Sequence, residues 1–253
     1  MKLKNLLSED VRGQKLNLEK TKELYRENCQ EHSFNNTQIY RGVSGQPEFY
    51  YLNPSKNERS SPSSAGYYSL IMDNSGFWSG YPKRSKSIIC STSQSYASSF
   101  GTPYLVVPYD SSNFGVCPND DIWRSFNFSE FGEIGDLMDF DNHLNKISEK
   151  VSNEKLETAN FNKFRSQIIE LGRKVVNNSE LSLTSSLLKK YLNSSADDLF
   201  FYIERLLDPE KNGFKTKEYT SNFNLFGNRE IWSDGEFLLI QHDLIDSFKQ
   251  KSD

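Results

Sequence analysis

Residues 87–109 read SIICSTSQSYASSFGTPYLVVPY, and this stretch decides the fold class. Ser87 to Ser93 and Tyr104 to Tyr109 are short runs rich in β-branched and aromatic residues, the pattern of strands. Between them Gln94 to Phe100 is small-residue sequence that ends at Gly101, as a short helix does. Upstream, Gln38 to Val43 (QIYRGV) is a further strand, bounded by an Asn-rich turn and Gly45. Downstream, Arg229 to Ser233 (REIWS) and Glu236 to Gln241 (EFLLIQ) flank Asp234-Gly235. An Asp-Gly pair between apolar runs predicts that these last two strands pair with each other.

Other regions have a different texture. Residues 1–36 are charged, with Leu18, Thr21, Leu24 and Tyr25 at helical spacing inside Asn17 to Gln30. Residues 37–126 read as strands and turns, with a Ser/Pro/Asn-rich surface loop over 53–66. Residues 130–212 read as helices. Phe161, Phe164, Ile168, Ile169, Leu171 and Val175 follow a 3.6 period, and Leu181 to Leu192 and Ala196 to Leu207 are further amphipathic segments. Pro209 and Gly213 close the last of them. A final strand-rich segment runs from Phe214 to Leu244. The expectation is one α+β domain over 1–253, with an N-terminal helix and a helical insertion at 130–212.

Composition narrows the function. The chain has 253 residues and a net charge of −4, without the basic excess of non-specific nucleic-acid binders. Aromatic residues, at 13%, supply enough buried area for a core. The longest apolar run is Leu199 to Ile203, far short of the roughly 20 residues of a membrane span. The first residues, MKLKNLLSEDVRGQ, lack the apolar core of a secretory signal. Three scattered cysteines (Cys29, Cys90, Cys117) fit a reducing compartment. The reading is cytoplasmic, with no membrane partner. No P-loop, dinucleotide fingerprint, HExxH or nucleophile elbow occurs, and His32, His143 and His242 are too scattered for a zinc cluster. No metal is expected.

Three elements remain that carry chemistry. Arg41 lies in the strand Ile39-Tyr40-Arg41-Gly42. Ser91-Thr92-Ser93 ends a strand and leads into a helix with Ala97 and Phe100. Glu236 opens an apolar strand, with Asp234 two residues before it. In that order they resemble the NAD-dependent mono-ADP-ribosyltransferases of the Arg-Ser-Glu class. That family has an Arg on its first strand, a Ser-Thr-Ser strand end followed by an Ala and an aromatic, and a late E/Q-x-E before an apolar strand. The resemblance covers 37–126 and 214–244. It departs at Asp234, which stands where the family has Glu or Gln, and at the long helical insertion.

The resemblance implies two packed, mostly antiparallel sheets around a cleft for NAD, which is a substrate. Cleaving the nicotinamide–ribose bond passes through an oxocarbenium-like state that a carboxylate stabilises, the role given to Glu236. Arg41, next to Gly42, would grip the pyrophosphate bidentately. Ser91, with Thr92 and Ser93 beside it, would orient Glu236, and Asp234 would accept the proton of the incoming nucleophile. Tyr96, Phe100 and Tyr104 are candidates to stack on nicotinamide. Each piece also has a plainer reading: a strand arginine with a surface partner, a helix N-cap at Ser91 to Ser93, and a Glu that guards an edge strand. Lys83, Arg84 and Lys86 form either a solvated turn or a phosphate contact.

The implied activity is transfer of ADP-ribose to a macromolecule, either a protein side chain or a nucleic-acid base. Such folds recur in bacterial toxins, toxin–antitoxin modules and phage effectors, so the resemblance extends to an antitoxin or other inhibitory partner. The alternatives are an NAD glycohydrolase and an inactive binding module of the same fold.

Overall fold

A computed structural model describes residues 13–56, 66–177 and 185–249. The readings for residues 1–12, for 57–65 of the Ser/Pro-rich loop and for 181–184 lie outside the described residues. The chain divides into two compact units. The sheet unit comprises the described residues 13–56, 80–120 and 215–249. The helical unit comprises 66–79, 121–177 and 185–214. It therefore draws in a segment that the sequence pattern assigned to strands and turns.

The sheet unit has nine strands: β1 (Gln14–Lys15), β2 (Tyr40–Val43), β3 (Phe49–Leu52), β4 (Ile88–Ser91), β5 (Thr102–Pro108), β6 (Asn113–Val116), β7 (Lys215–Glu218), β8 (Glu230–Ser233) and β9 (Phe237–Gln241). They form one hydrogen-bonded sheet in the order β1-β3-β9-β5-β2-β4-β8-β6-β7, and every pairing is antiparallel. The expected α+β class is present. The expected division into two sheets is not, because hydrogen bonding runs unbroken from edge to edge.

The sheet nonetheless forms two facing halves. Five strand spacings separate β9 from β6, which is roughly 24 Å across a flat sheet. Yet the rings of Phe114 on β6 and Phe237 on β9 lie 6.1 Å apart. The sheet therefore curls on itself, and its inner face encloses one core that includes Ile39, Cys90, Tyr104, Phe114, Ile231 and Leu239. The outer face of the β5/β9 half carries Leu105, Val107, Leu238 and Ile240. These pack in a second core with Cys29, Ile245 and Phe248, contributed by helices α1 (Leu18–Asn28) and α8 (Ile245–Lys249) and their ends. Alternate residues of β5 thus serve opposite cores, as a two-residue strand period requires. A short helix, α3 (Gln94–Ser98), links β4 to β5.

The predicted hairpin at Asp234-Gly235 does not form. β8 pairs with β4 and β6, whereas β9 pairs with β3 and β5. The short link instead carries the chain from one half of the curled sheet to the other. A Cβ on Gly235 would come within 2.7 Å of the Ser112 hydroxyl, so the crossing depends on a bare backbone there.

The helical unit holds α2 (Tyr67–Asn74), α4 (Leu137–Ser152), α5 (Phe161–Val176), α6 (Ser186–Leu192) and α7 (Leu199–Leu206). Side-chain N-caps from Asp136, Asn160, Ser185 and Asp198 begin the last four. Phe164, Ile168, Leu171 and Val175 are fully buried, as their spacing predicts. Asp141, on α4 beside Phe140 and Leu144, is also fully buried. Neither of its carboxyl oxygens has a hydrogen-bond partner.

Burial raises the pKa of Asp141 well above the usual carboxylate range. The folded state thus keeps a proton that the unfolded chain releases near pH ~4. Stability should fall as pH rises from there through the folded-state pKa. Asp141→Asn should flatten that slope and stabilise the protein by about 1–3 kcal/mol on its alkaline side. Thermal melts from pH 5 to 8 check this, and a slope unchanged by the substitution refutes it.

Candidate functional site

Three neighbouring strands of the curled sheet carry the candidate residues. β2 bears Arg41, β4 ends at Ser91 and β8 opens at Glu230. Their register is continuous: Tyr40 lies opposite Ser91, and Ser91 lies opposite Glu230. Directly opposed residues of an antiparallel pair project to the same face with Cβ atoms about 4.5–5.5 Å apart. Ser91 and Glu230 therefore form a cross-strand pair, and both are buried. Glu230 was not among the residues singled out from the sequence.

The Ser-Thr-Ser segment fixes this pair. The Ser91 hydroxyl accepts the Ser93 amide at 3.0 Å, which turns the chain out of β4. The Ser93 hydroxyl accepts the Tyr96 amide and caps α3. Thr92 holds the approach to β8. Its amide donates to the Arg229 carbonyl at 3.0 Å, and its hydroxyl accepts the Arg229 amide at 2.8 Å and reaches the Gly227 carbonyl at 3.2 Å. Gly227 has φ +72°, the left-handed conformation that favours glycine. The preceding Phe226 is 90% exposed.

Glu230 is gripped from beneath by a residue of the basic segment. Arg84 is buried, and its Nη2 lies 2.5 Å from Glu230 Oε1. The Arg84 guanidinium sits over the Trp232 ring at 5.2 Å. Trp232 donates its indole N–H to the Pro82 carbonyl at 2.9 Å and stacks against Tyr81. Within this segment Arg84 is thus turned inward, whereas Lys83 stays exposed. Residues 81–84 are a strap across β8 that delivers a cation to Glu230. The Cys117 thiol also faces Oε1, at 3.9 Å.

Arg41 lies one residue along from the pair, with its side chain on the inner face. It is buried, and its Nη1 donates to the Ile89 carbonyl of β4 at 2.7 Å. Burial pushes its pKa down, opposed by Cys90 and Tyr50 nearby; Cys90 in turn is pushed up to about 12. Arg41 therefore tethers the Ser-Thr-Ser strand and is not held out as a pyrophosphate clamp. Gly42 allows close approach of α3, since a Cβ there would meet the Ala97 carbonyl oxygen at 1.9 Å.

Glu236 stands elsewhere. It precedes Phe237, which lies opposite Leu52 and Pro108. Ser91, followed through Tyr40 and Leu105, is level with Ile240. Glu236 is therefore three strands over and four residues off in register. Its Oε1 accepts Asn53 Nδ2 at 2.6 Å, beside the Tyr51 and Tyr109 rings. The expectation that Ser91 orients Glu236 is corrected: Asn53 does so, because the Asp234-Gly235 link crosses to the other half of the sheet. Asp234 lies on that link, half-buried, away from Ser91. Tyr96 and Phe100 remain half-buried on α3 and its end, edge to face at 5.2 Å. Tyr104 is a buried core residue against Tyr50, its hydroxyl donating to the Gln46 carbonyl at 3.1 Å.

Compared with protein-family models, curated proteins and solved structures, the chain matches none. Among the described residues, no helix is long and apolar enough to cross a membrane. No three His, Cys, Asp or Glu side chains among them come together to hold a metal.

Thr92→Val keeps the shape of the side chain and removes its hydroxyl. It should cost about 1–2 kcal/mol and speed hydrogen exchange at the Arg229 amide more than at Leu239. Exchange rates at the two amides decide whether Thr92 fixes the entrance to β8.

Proposed function

We propose that the chain is an NAD-dependent ADP-ribosyltransferase whose reacting carboxylate is Glu230, in place of Glu236. One observation carries this reading. An Arg-bearing strand, a strand ending in Ser-Thr-Ser and a strand opened by Glu lie side by side, with Ser91 opposite Glu230. The family resembled in sequence has these three elements; here Ser91 lies opposite Glu230, while the Arg41 side chain turns to the other face of the sheet and supports the reading only as the strand beside them.

The chemistry follows from the charge. In NAD the bond from ribose C1′ to the nicotinamide nitrogen breaks, and its electron pair neutralises the pyridinium as nicotinamide leaves. Positive charge grows on C1′ and the ring oxygen. Glu230, held in a buried strand by Arg84, offers a fixed carboxylate to that charge and an acceptor for the 2′-hydroxyl. A nucleophile from the acceptor then bonds to C1′ and releases its proton to solvent. Tyr96 and Phe100 are the aromatic candidates nearest the Ser-Thr-Ser turn. Asn228, exposed two residues before Glu230, takes the place first given to Asp234. An amide there can hydrogen-bond an acceptor but cannot take its proton.

The acceptor class is a protein side chain or a nucleic-acid base, and the setting a cytoplasmic toxin, defence module or phage effector. Water as acceptor would make the same site a glycohydrolase.

NAD labelled in its adenylate part, incubated with the protein and a bacterial lysate, tests the reading. Glu230→Gln should lower nicotinamide release at least ~100-fold, whereas Glu236→Gln should leave it within about threefold. Label in protein or nucleic acid names the acceptor, and free ADP-ribose alone indicates hydrolysis. Equal losses in both variants, or no NAD consumption by folded wild type, would overturn the assignment.

A further inference from the structure

The helical unit contains a cleft of about 460 Å³ between α7 and the segments at 127–130, 194–195 and 211–212. That volume is within the range of small-ligand sites, roughly 300–1,000 Å³. Two of its lining residues are cations. Arg205 projects from the end of α7, and Lys211 stands on the following loop. Among the described residues, neither pairs with a carboxylate. Tyr202 adds a hydroxyl and a ring face, and Ser195 a further hydroxyl. The single acid on the wall, Glu130, is engaged by Lys190 at 2.9 Å.

The loop bearing Lys211 is built rigidly. Asn212 Nδ2 donates to the carbonyls of Leu206 and Asp208, both at 2.8 Å, and Asn212 Oδ1 accepts the Asn127 amide at 2.8 Å. The Asp208 carboxylate accepts the Glu210 amide at 2.9 Å. The two cations are therefore held on fixed backbone at one cleft, with hydroxyl donors between them. Arg205 also lies over the Phe201 ring at 6.0 Å, and both cations are exposed at the cleft, where an anion would be attracted by each.

We propose that this cleft binds a phosphate-bearing small molecule of nucleotide size, with Arg205 and Lys211 on the phosphate and Tyr202 against the remainder. The site lies wholly within the helical unit.

Calorimetric titration of the full chain with inorganic pyrophosphate and with AMP tests this. Wild type should bind at least one of them saturably, more weakly as salt rises. Tighter AMP than pyrophosphate would support a contribution from the nucleoside, and the reverse would support recognition of the anion alone. Arg205→Ala and Lys211→Ala, both at exposed positions, should each weaken binding about tenfold. Glu230→Gln should leave it unchanged, so loss of NAD turnover and loss of this site read out separately. No saturable binding at millimolar ligand would overturn the proposal. So would binding that survives in the Arg205→Ala/Lys211→Ala double variant.

Discussion

The rings of Phe114 and Phe237 touch across the interior of a sheet in which their strands are five spacings apart. That contact exists only if the sheet curls, and the rest of the sheet unit depends on the curl. With so many strands, an open twisted sheet either closes on itself or leaves a large apolar face bare. Here the inner faces meet around Phe114, Phe223 and Phe237. The outer face of the β5/β9 half is covered by α1 and α8. Aromatic residues suit such a core, because each ring fills much of the gap between opposing backbones. The chain reaches that core volume with only moderate aliphatic content.

The curl also determines which charges meet. Arg41, Arg84 and Glu230 are all buried in the sheet unit. Burying one such ion alone is costly, and each is compensated at close range. Arg41 is held by the Ile89 carbonyl. Arg84 and Glu230 hold each other, with the Trp232 ring beneath the guanidinium. A pair buried this way contributes little net stability, but it fixes geometry. Its effect is to hold one carboxylate at the mouth of β8 opposite a serine. A carboxylate so fixed needs no reorganisation when positive charge develops beside it, which is the condition for electrostatic catalysis.

Local pattern made most strands and helices legible. The β-branched run at 104–109, the capped segment before Gly101 and the 3.6-period face from Phe161 to Val175 all correspond to observed elements. Pairing was not legible. REIWS and EFLLIQ flank Asp-Gly and read as a hairpin, because turn propensity is local and register is not. What overrides the turn signal is a core that draws β8 to β4 and β9 to β5. The expected closeness of Ser91 and Glu236 fails for the same reason. Glu230 and Glu236 each open an apolar strand, and no local feature distinguishes them. Only the position of their strands relative to Ser91 does so. Arg84 was hidden for a similar reason. A cation in a Lys/Arg-rich turn reads as solvated, and its burial depends on Trp232 and on Glu230, 146 residues away.

The Ser-Thr-Ser segment shows how three small residues can divide a structural task. The hydroxyls divide the work: Ser91 turns the chain, Ser93 caps α3, and Thr92 anchors the approach to β8. The N-cap reading and the functional reading of this segment are therefore complementary. Capping fixes α3 with its half-buried Tyr96 and Phe100, while the Thr92 clamp fixes the backbone that presents Glu230. A carboxylate two residues from a flexible loop would spread over many positions, and its field at any one point would weaken. Here the exposed Phe226 and left-handed Gly227 are followed at once by a segment bonded on both amide and carbonyl of Arg229. The backbone is therefore held by hydrogen bonds up to the residue before the charge.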